Sequence, residues 1–175
     1  MRYFHQLLLL DGFGVLGQRK LLSSLVLFVG AGGIGSTLLL FLSLSDVERT
    51  TAVEHHDVEV FNLHQQVIHT EGRRGTSKAR SACDAMRALN PTVLVMVVME
   101  HLIWEKYMEI VRGNECVVDA RNNPCMLYLV KDTCIMAGRE PKTAEMTNGV
   151  SGTEGGPIPL VSGSAMGTEG KLTIS

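Results

Sequence analysis

A chain of 175 residues with 45% hydrophobic side chains is long enough to bury one α/β core without disulfide or metal staples. Its net charge is -2, from 16 basic and 18 acidic residues in no long block, which removes the electrostatic footprint that nucleic acid or an anionic membrane needs. Cys83, Cys116, Cys125 and Cys134 form no CxxC pair and read as reduced thiols of a cytoplasmic protein, with no zinc site expected among them.

The first element legible in the chain is the apolar run 25–29, Leu-Val-Leu-Phe-Val, which suits a parallel strand covered on both faces. Residues 21–45 carry no charge, so a membrane span is a formal rival. Gly30, Gly32, Gly33 and Gly35 divide that stretch as a strand, a turn and a helix over 33–44 would, and basic flanking loops are missing. Residues 50–54 read as a second strand. The spacing of Ala79, Ala82, Ala85, Met86 and Leu89 predicts an amphipathic helix over 77–89, stopped by Asn90-Pro91. A third strand over 93–99, a helix over 103–112, a fourth strand over 116–119 and a helix over about 126–137 follow. Strand and helix alternate, which predicts a Rossmann-like doubly wound, mostly parallel sheet with helices on both faces. Residues 147–159 are rich in Gly, Thr, Ser and Pro and read as a flexible loop, before two closing strands over 160–165 and 171–174.

The motif Gly30-Ala-Gly-Gly-Ile-Gly35 follows its strand directly and opens a helix, the context in which a GxGxxG pattern has a mechanism. One glycine permits the tight turn, another lets backbone approach a phosphate, and the helix N-terminus offers free N–H groups. Glu54, at the end of the second strand, stands where an acid accepts hydrogen bonds from a ribose. These features serve a dinucleotide and an ATP site equally; a glycine-rich packing turn without ligand is the structural alternative.

Several motifs outside that loop separate the two. Arg2-Tyr3-x-x-Gln6, Gly14-x-x-Gly17-Gln18, Asn62-Leu63-x-x-Gln66, Lys78 and Asp119 with Asn123 together resemble the ThiF/MoeB/ubiquitin-activating (E1-like) family. Tyr128-Leu-Val-x-Asp132-x-Cys134, with the segments 160–165 and 169–173, looks especially like its eukaryotic molybdopterin-synthase sulfurylase (Urm1 activator) branch. The resemblance implies one nucleotide-binding domain over 1–175, using ATP and Mg²⁺ to adenylate the C-terminal glycine of a ubiquitin-like sulfur carrier. It puts Gly30, Gly32, Gly33 and Gly35 on the phosphates, Glu54 on the ribose, and Asn62, Gln66 and Lys78 near the polyphosphate. Asn122 and Asn123 fall at the magnesium end. It also implies a dimer, either of two copies or with a related subunit.

The departures from the family pattern bear on activity. The second arginine of RYxRQ is His5, the arginine of NLxRQ is Gln65, the magnesium-binding aspartate of DxxDN is Asn122, and the arginine five residues later is Leu127. Losing one preorganised charge at a transition state costs on the order of 3 kcal/mol, or ~100-fold in rate. Impaired catalysis at Lys78, Asn122 and Gln65 is therefore the expectation, with Asn122 a weak magnesium ligand through its amide oxygen. Asp57, Arg73, Arg74 and Arg121 stand near enough in sequence to compensate. Residues 142–157 look like an insertion. The zinc ligands, crossover loop and rhodanese domain that follow in relatives lie outside these residues, so sulfur transfer by this chain alone is not expected.

The remaining tempting residues read as structural. His55-His56, His64 and His69 show no helical metal-ligand spacing and are expected to be solvated or hydrogen-bonded. Cys125 and Cys134 fit packing better than redox, as do Trp104 and Tyr107, while Lys78 has the rival reading of a solvated lysine at a helix start. Two rivals to an active adenylyltransferase follow: a catalytically inactive E1-like binding module, which the missing arginines favour, and an NAD-dependent oxidoreductase, which leaves the 62–66 and N-terminal motifs unexplained.

Overall fold

The structure, a computed structural model, describes residues 7–99, 103–121, 124–138, 160–166 and 169–174, with side chains over 8–99, 103–121 and 128–138. The apolar run becomes β1 (Leu25–Val29), the innermost of its neighbours because every side of it must be covered. It pairs in parallel with β2 (Arg49–Val53), Phe28 opposite Ala52, and with β4 (Cys116–Asp119), Phe28 opposite Val118. Beyond β2 lies β3 (Leu94–Val98), and beyond β4 the hairpin of β5 (Leu160–Met166) and β6 (Glu169–Ile174). The sheet order is β3-β2-β1-β4-β5-β6, all parallel except β6, a doubly wound Rossmann-like arrangement.

Alternate residues of β1 face opposite layers, as the two-residue period of a strand requires. Val26 and Phe28 pack with Leu39 of α2 (Gly33–Leu44) and with Ala82 and Met86 of α3 (Lys78–Leu89). Leu27 and Val29 pack with Tyr107 and Val111 of α4 (Trp104–Arg112) and with Val130 and Cys134 of α5 (Pro124–Gly138). Because α2, which follows β1, and α5, which follows β4, pack on opposite faces, the connections at the C-terminal ends of β1 and β4 part and open a crevice at the switch point. Among the described residues no helix is long and apolar enough to cross a membrane, and Gly33–Leu44 is a domain helix on the sheet.

Three differences from the sequence reading have physical causes. A helix over Gly14–Leu21, here α1, was not expected, because two glycines in eight residues lower its intrinsic propensity. Buried Gln18 holds it by donating from Nε2 to the Ser45 carbonyl at 3.0 Å, across the end of α2. The second strand begins and ends one residue earlier, so Glu54 lies just past β2. Trp104 is 38% exposed while Tyr107 is in the core, so only the latter is a packing anchor. The insertion at 142–157 lies outside the described residues.

Candidate functional site

The turn out of β1 is set by Gly30, whose φ of +101° is a conformation side chains rarely adopt and whose N–H donates to the Val53 carbonyl at 3.0 Å. Gly35 lies so close that a β-carbon there would sit 2.2 Å from the Gly30 carbonyl oxygen. Gly32 meets no heavy atom within 4 Å of where its β-carbon would be. The first bond of this turn within α2 is Ser36 N–H to Gly32 carbonyl at 2.8 Å, so the preceding N–H groups have no partner in the helix and point at the crevice.

Ala31, between these glycines, is gripped at both ends of its residue. Its N–H donates to Glu54 Oε2 at 3.1 Å, and its carbonyl accepts from His69 Nε2 at 3.1 Å. A carbonyl only accepts, so Nε2 carries the hydrogen; in the neutral imidazole that burial favours, Nδ1 then accepts from Ser81 Oγ at 2.9 Å. Burial pushes the His69 pKa down, with the Lys78 charge adding to it and the Ala31 bond and Glu54 opposing. Glu54, 7% exposed, accepts at Oε1 from the backbone N–H of His55 (3.0 Å) and His56 (3.1 Å) and from His56 Nδ1 (2.7 Å). Burial alone raises a carboxyl pKa, but these bonds and the one from Ala31 outweigh it and hold Glu54 below its ordinary value.

Between β2 and α3 the chain folds back over the loop. Gln65 covers the start of α2: a β-carbon at Gly33 would lie 3.5 Å from the Gln65 carbonyl and 3.9 Å from its Oε1. Asn62 organises this segment through its carbonyl, which accepts from the N–H groups of Gln65 (3.2 Å) and Gln66 (3.1 Å). Gln66 is buried, with Oε1 lacking any partner. Lys78 begins α3, its N–H bonded to the His56 carbonyl at 2.9 Å. It is 7% exposed, so the solvated-lysine reading is corrected, and among the described residues no acceptor or carboxylate meets its ammonium group.

The β4 side differs. Asp119 ends β4 fully buried; Oδ1 accepts from Arg121 N at 3.1 Å and from Nε at 3.4 Å, and Oδ2 has no partner. Burial raises its pKa against the opposing Arg121 charge. Arg121 packs against the glycine turn, its Cγ 2.6 Å from where a Gly30 β-carbon would be, with Nη2 buried and unsatisfied. Tyr107 Oη is buried and makes no hydrogen bond of good geometry; burial drives its pKa up, and the nearby Arg121 guanidinium opposes that.

The structure thus brings Gly30, Gly32, Gly33, Gly35, Glu54, Gln65, Gln66 and Lys78 around one crevice. Arg73 is committed elsewhere, ion-paired with Asp84. Arg74 and Asp57 line a neighbouring cleft of about 640 Å³ with Val58, Val60 and Phe61, to which no glycine-loop residue contributes. His5, Asn122, Asn123 and the side chains of Cys125 and Leu127 lie outside what is described. Cys134 is buried and pushed up to about 11 by burial, with Cys116 and Asp119 adding, and burial likewise raises Cys83 and Cys116, so these thiols pack rather than react. His69, expected only to be solvated or hydrogen-bonded, is a contributor whose role no spacing marks because its partners are tertiary; Arg121, named as able to compensate, is held by Asp119 two residues away and packs on the glycine turn.

The ThiF family pattern matches residues 3–175. The chain belongs to the ThiF family. It is 39% identical over 173 residues to the adenylyltransferase and sulfurtransferase MOCS3 of Arabidopsis thaliana, covering 99% of this chain and 33% of that protein. The Mus musculus MOCS3 is 39% identical over 174 residues, covering 99% and 34%. The chain therefore spans about a third of the length of these curated relatives. Among solved structures, Escherichia coli tRNA N6-threonylcarbamoyladenosine dehydratase TcdA superposes with TM-score 0.71 at 22% identity over 87% of this chain and 57% of that one. Escherichia coli MccB, solved with ATP, superposes with TM-score 0.66 at 20% identity over 86% and 40%. These two likenesses carry the fold.

Proposed function

We propose that this ThiF-family domain binds ATP in the switch-point crevice and adenylates the C-terminal glycine of a ubiquitin-like sulfur carrier, at a rate reduced by its substitutions. The observation that carries the reading is Lys78. Its side chain, 7% exposed at the start of α3, lies close enough to His69, which bonds the glycine-loop residue Ala31, to add to burial in depressing that imidazole's pKa. Among the described residues no carboxylate pairs with it, which suits an anionic ligand. Free N–H groups at the start of α2 suit phosphate, and Arg121 adds a guanidinium beside Gly30. In the reaction a carboxylate oxygen of the carrier attacks the α-phosphorus; the bond from that phosphorus to the bridging oxygen breaks, and pyrophosphate leaves with the electron pair. Lys78 and Arg121 would neutralise charge on the phosphates, and Glu54 would meet the ribose through Oε2, which holds one hydrogen bond against three at Oε1. Mg²⁺ takes carboxylate and amide oxygens, and the partnerless Oδ2 of Asp119 and the amide of Asn122 suit it; the ion would supply charge neutralisation at the polyphosphate. The carrier, a second copy or related subunit as dimer partner, and a cytoplasmic location belong to the same proposal.

The test is calorimetric titration with ATP, with and without Mg²⁺, and with NAD as control. Saturable ATP heat, weakened at least tenfold in Lys78→Ala, is expected. Heat with NAD alone, or none with either nucleotide, sinks the reading. A second reading, an inactive E1-like binding module, is favoured by Gln65 and Leu127 standing where arginines are usual and by the commitment of Arg73 to Asp84. ATP binding without carrier-dependent pyrophosphate exchange decides for it.

A further inference from the structure

In one donor cluster only the carboxylate is used by the adenylation chemistry. Glu54, His55 and His56 are consecutive, and one ligand atom from each lies within 4.8 Å of the other two. The two imidazole rings lie 3.9 Å apart, centre to centre. We propose that these three residues form a site for a borderline divalent first-row cation of the Zn²⁺ class, at the mouth of the crevice.

The chemistry of the set points to that class. Two imidazoles and one carboxylate suit zinc and its neighbours, whereas Mg²⁺ and Ca²⁺ need shells of oxygen that one carboxylate cannot supply. His55 and His56 are exposed, which gives an ion its path of entry and leaves a fourth position to water. His56 Nδ1 stands 2.7 Å from Glu54 Oε1, and the His56 side chain is 62% exposed. Around a tetrahedral zinc the ligand atoms stand about 3.3 Å apart, so the ring needs only a small rotation to open room for the ion. The ion then takes the place of the Nδ1 hydrogen between nitrogen and oxygen, and a neutral imidazole keeps its hydrogen on Nε2. The backbone N–H bonds from His55 and His56 to Oε1, and the one from Ala31 to Oε2, meanwhile anchor the carboxylate as the fixed ligand. The spacing of consecutive residues is unlike that of helical metal motifs, which is why the pair His55-His56 carries no such signal in the sequence.

The test uses the whole chain, freed of nucleotide and metal by chelator, titrated with ZnCl₂ alone, and with Co²⁺ as the spectroscopic probe. One equivalent of zinc is expected, with a cobalt spectrum free of thiolate charge transfer. Affinity should fall at least roughly tenfold in His55→Ala and in His56→Ala, and saturable binding should vanish in the double variant. His64→Ala, an exposed histidine on the same segment, should bind as wild type does, and circular dichroism reports that each variant folds. No saturable zinc binding, or binding unchanged in the double variant, overturns the proposal. It shares Glu54 with the nucleotide reading but is tested without nucleotide: zinc binding without ATP heat sinks only that reading, and ATP heat without zinc binding sinks only this one.

Discussion

The two walls of the crevice are built to different standards. On the β2 side, the bonds of Glu54 and His69 hold Ala31 at both ends, and no atom of either side chain is orphaned. On the β4 side, Asp119 Oδ2 and Arg121 Nη2 are buried with no hydrogen bond, and Tyr107 Oη has only the nearby Arg121 guanidinium, at poor geometry. Buried polar groups are rarely left so unless something absent from the chain completes them. The sequence departs from the family pattern on both sides, at Gln65 between β2 and α3 and at Asn122 and Leu127 after β4, while the glycine loop keeps it. The grip of Glu54 and His69 on Ala31 is a frame that folding completes, whereas the β4 side, like Gln66 Oε1 and Lys78 across the crevice, keeps polar groups that a ligand suits.

The frame is most exposed to attack at its narrowest contact. Gly35→Ala places a methyl group 2.2 Å from the Gly30 carbonyl, backbone against backbone, and neither side can yield. A loss of about 3 kcal/mol or more is expected from urea unfolding at constant slope. Gly32→Ala, with nothing within 4 Å, should stay within about 0.5 kcal/mol. Equal losses at the two positions would show that the loop is not locked by close approach.

Glu54→Gln tests the hydrogen-bonded half of the frame. The substitution keeps one acceptor oxygen, but the new amide presents N–H to groups that themselves donate, from Ala31, His55 and His56. Losing bonds to a charged acceptor costs about 2–3 kcal/mol, read from the same unfolding curves. Because the folded pKa of Glu54 lies below its ordinary 4.5, its stabilisation is complete above that value and lost as pH falls through the folded pKa. If Glu54→Gln unfolds at the wild-type urea concentration, the carboxylate is no part of the frame and the contrast between the walls collapses.

How much of this was legible in the sequence follows the same division. The run 25–29 ending in Gly30 announced strand, turn and helix, because β-branched and apolar residues cannot continue through clustered glycine. All the expected strands and major helices fell within a residue or two, since each carries its own period. Helix α1 did not, because Gln18 and tertiary packing hold it rather than its composition. Contacts between distant residues were out of reach: His69 finds Ala31 across 38 positions and Arg73 finds Asp84 across 11, and no local rule connects either pair. The burial of Lys78 and of Asp119 was equally invisible, because a charged residue at a helix start or strand end looks the same exposed.

His69 offers a smaller effect that sharpens the frame's electrostatics. Its folded pKa lies below 6.5, so the unfolded chain takes up a proton first as pH falls. The stabilisation is complete above 6.5 and is lost as pH falls through the folded pKa, with a slope of at most about 1.4 kcal/mol per pH unit for one proton. His69→Gln should flatten that part of the profile between about pH 7.5 and 5.5, measured as unfolding midpoint against pH. An unchanged profile would mean that the imidazole is already protonated where Ala31 and Ser81 hold it.

The smallest expected effect is the most informative about the second wall. Asp119→Asn removes a buried charge but keeps an oxygen for the Arg121 N–H, now accepted at Oδ1 at 3.1 Å. The folded pKa of Asp119 lies above its ordinary 3.8, because burial outweighs Arg121, so its favourable share exists only below that value and is lost as pH rises through the folded pKa. At neutral pH the ionised carboxylate is a cost to folding, offset by its bonds to Arg121, whose side chain keeps 20% of its surface in water. Neutralisation should therefore change stability by less than about 1 kcal/mol, against the larger loss at Glu54. The two carboxylates sit at the ends of β2 and β4, the strands on either side of β1, so the contrast isolates what each was ionised for. If Asp119→Asn is as damaging as Glu54→Gln, both walls are framework, and the orphaned atoms of the β4 side are not held for a ligand. If it is tolerated while ATP heat in the presence of Mg²⁺ falls, the charge at Asp119 is maintained against folding for what binds there.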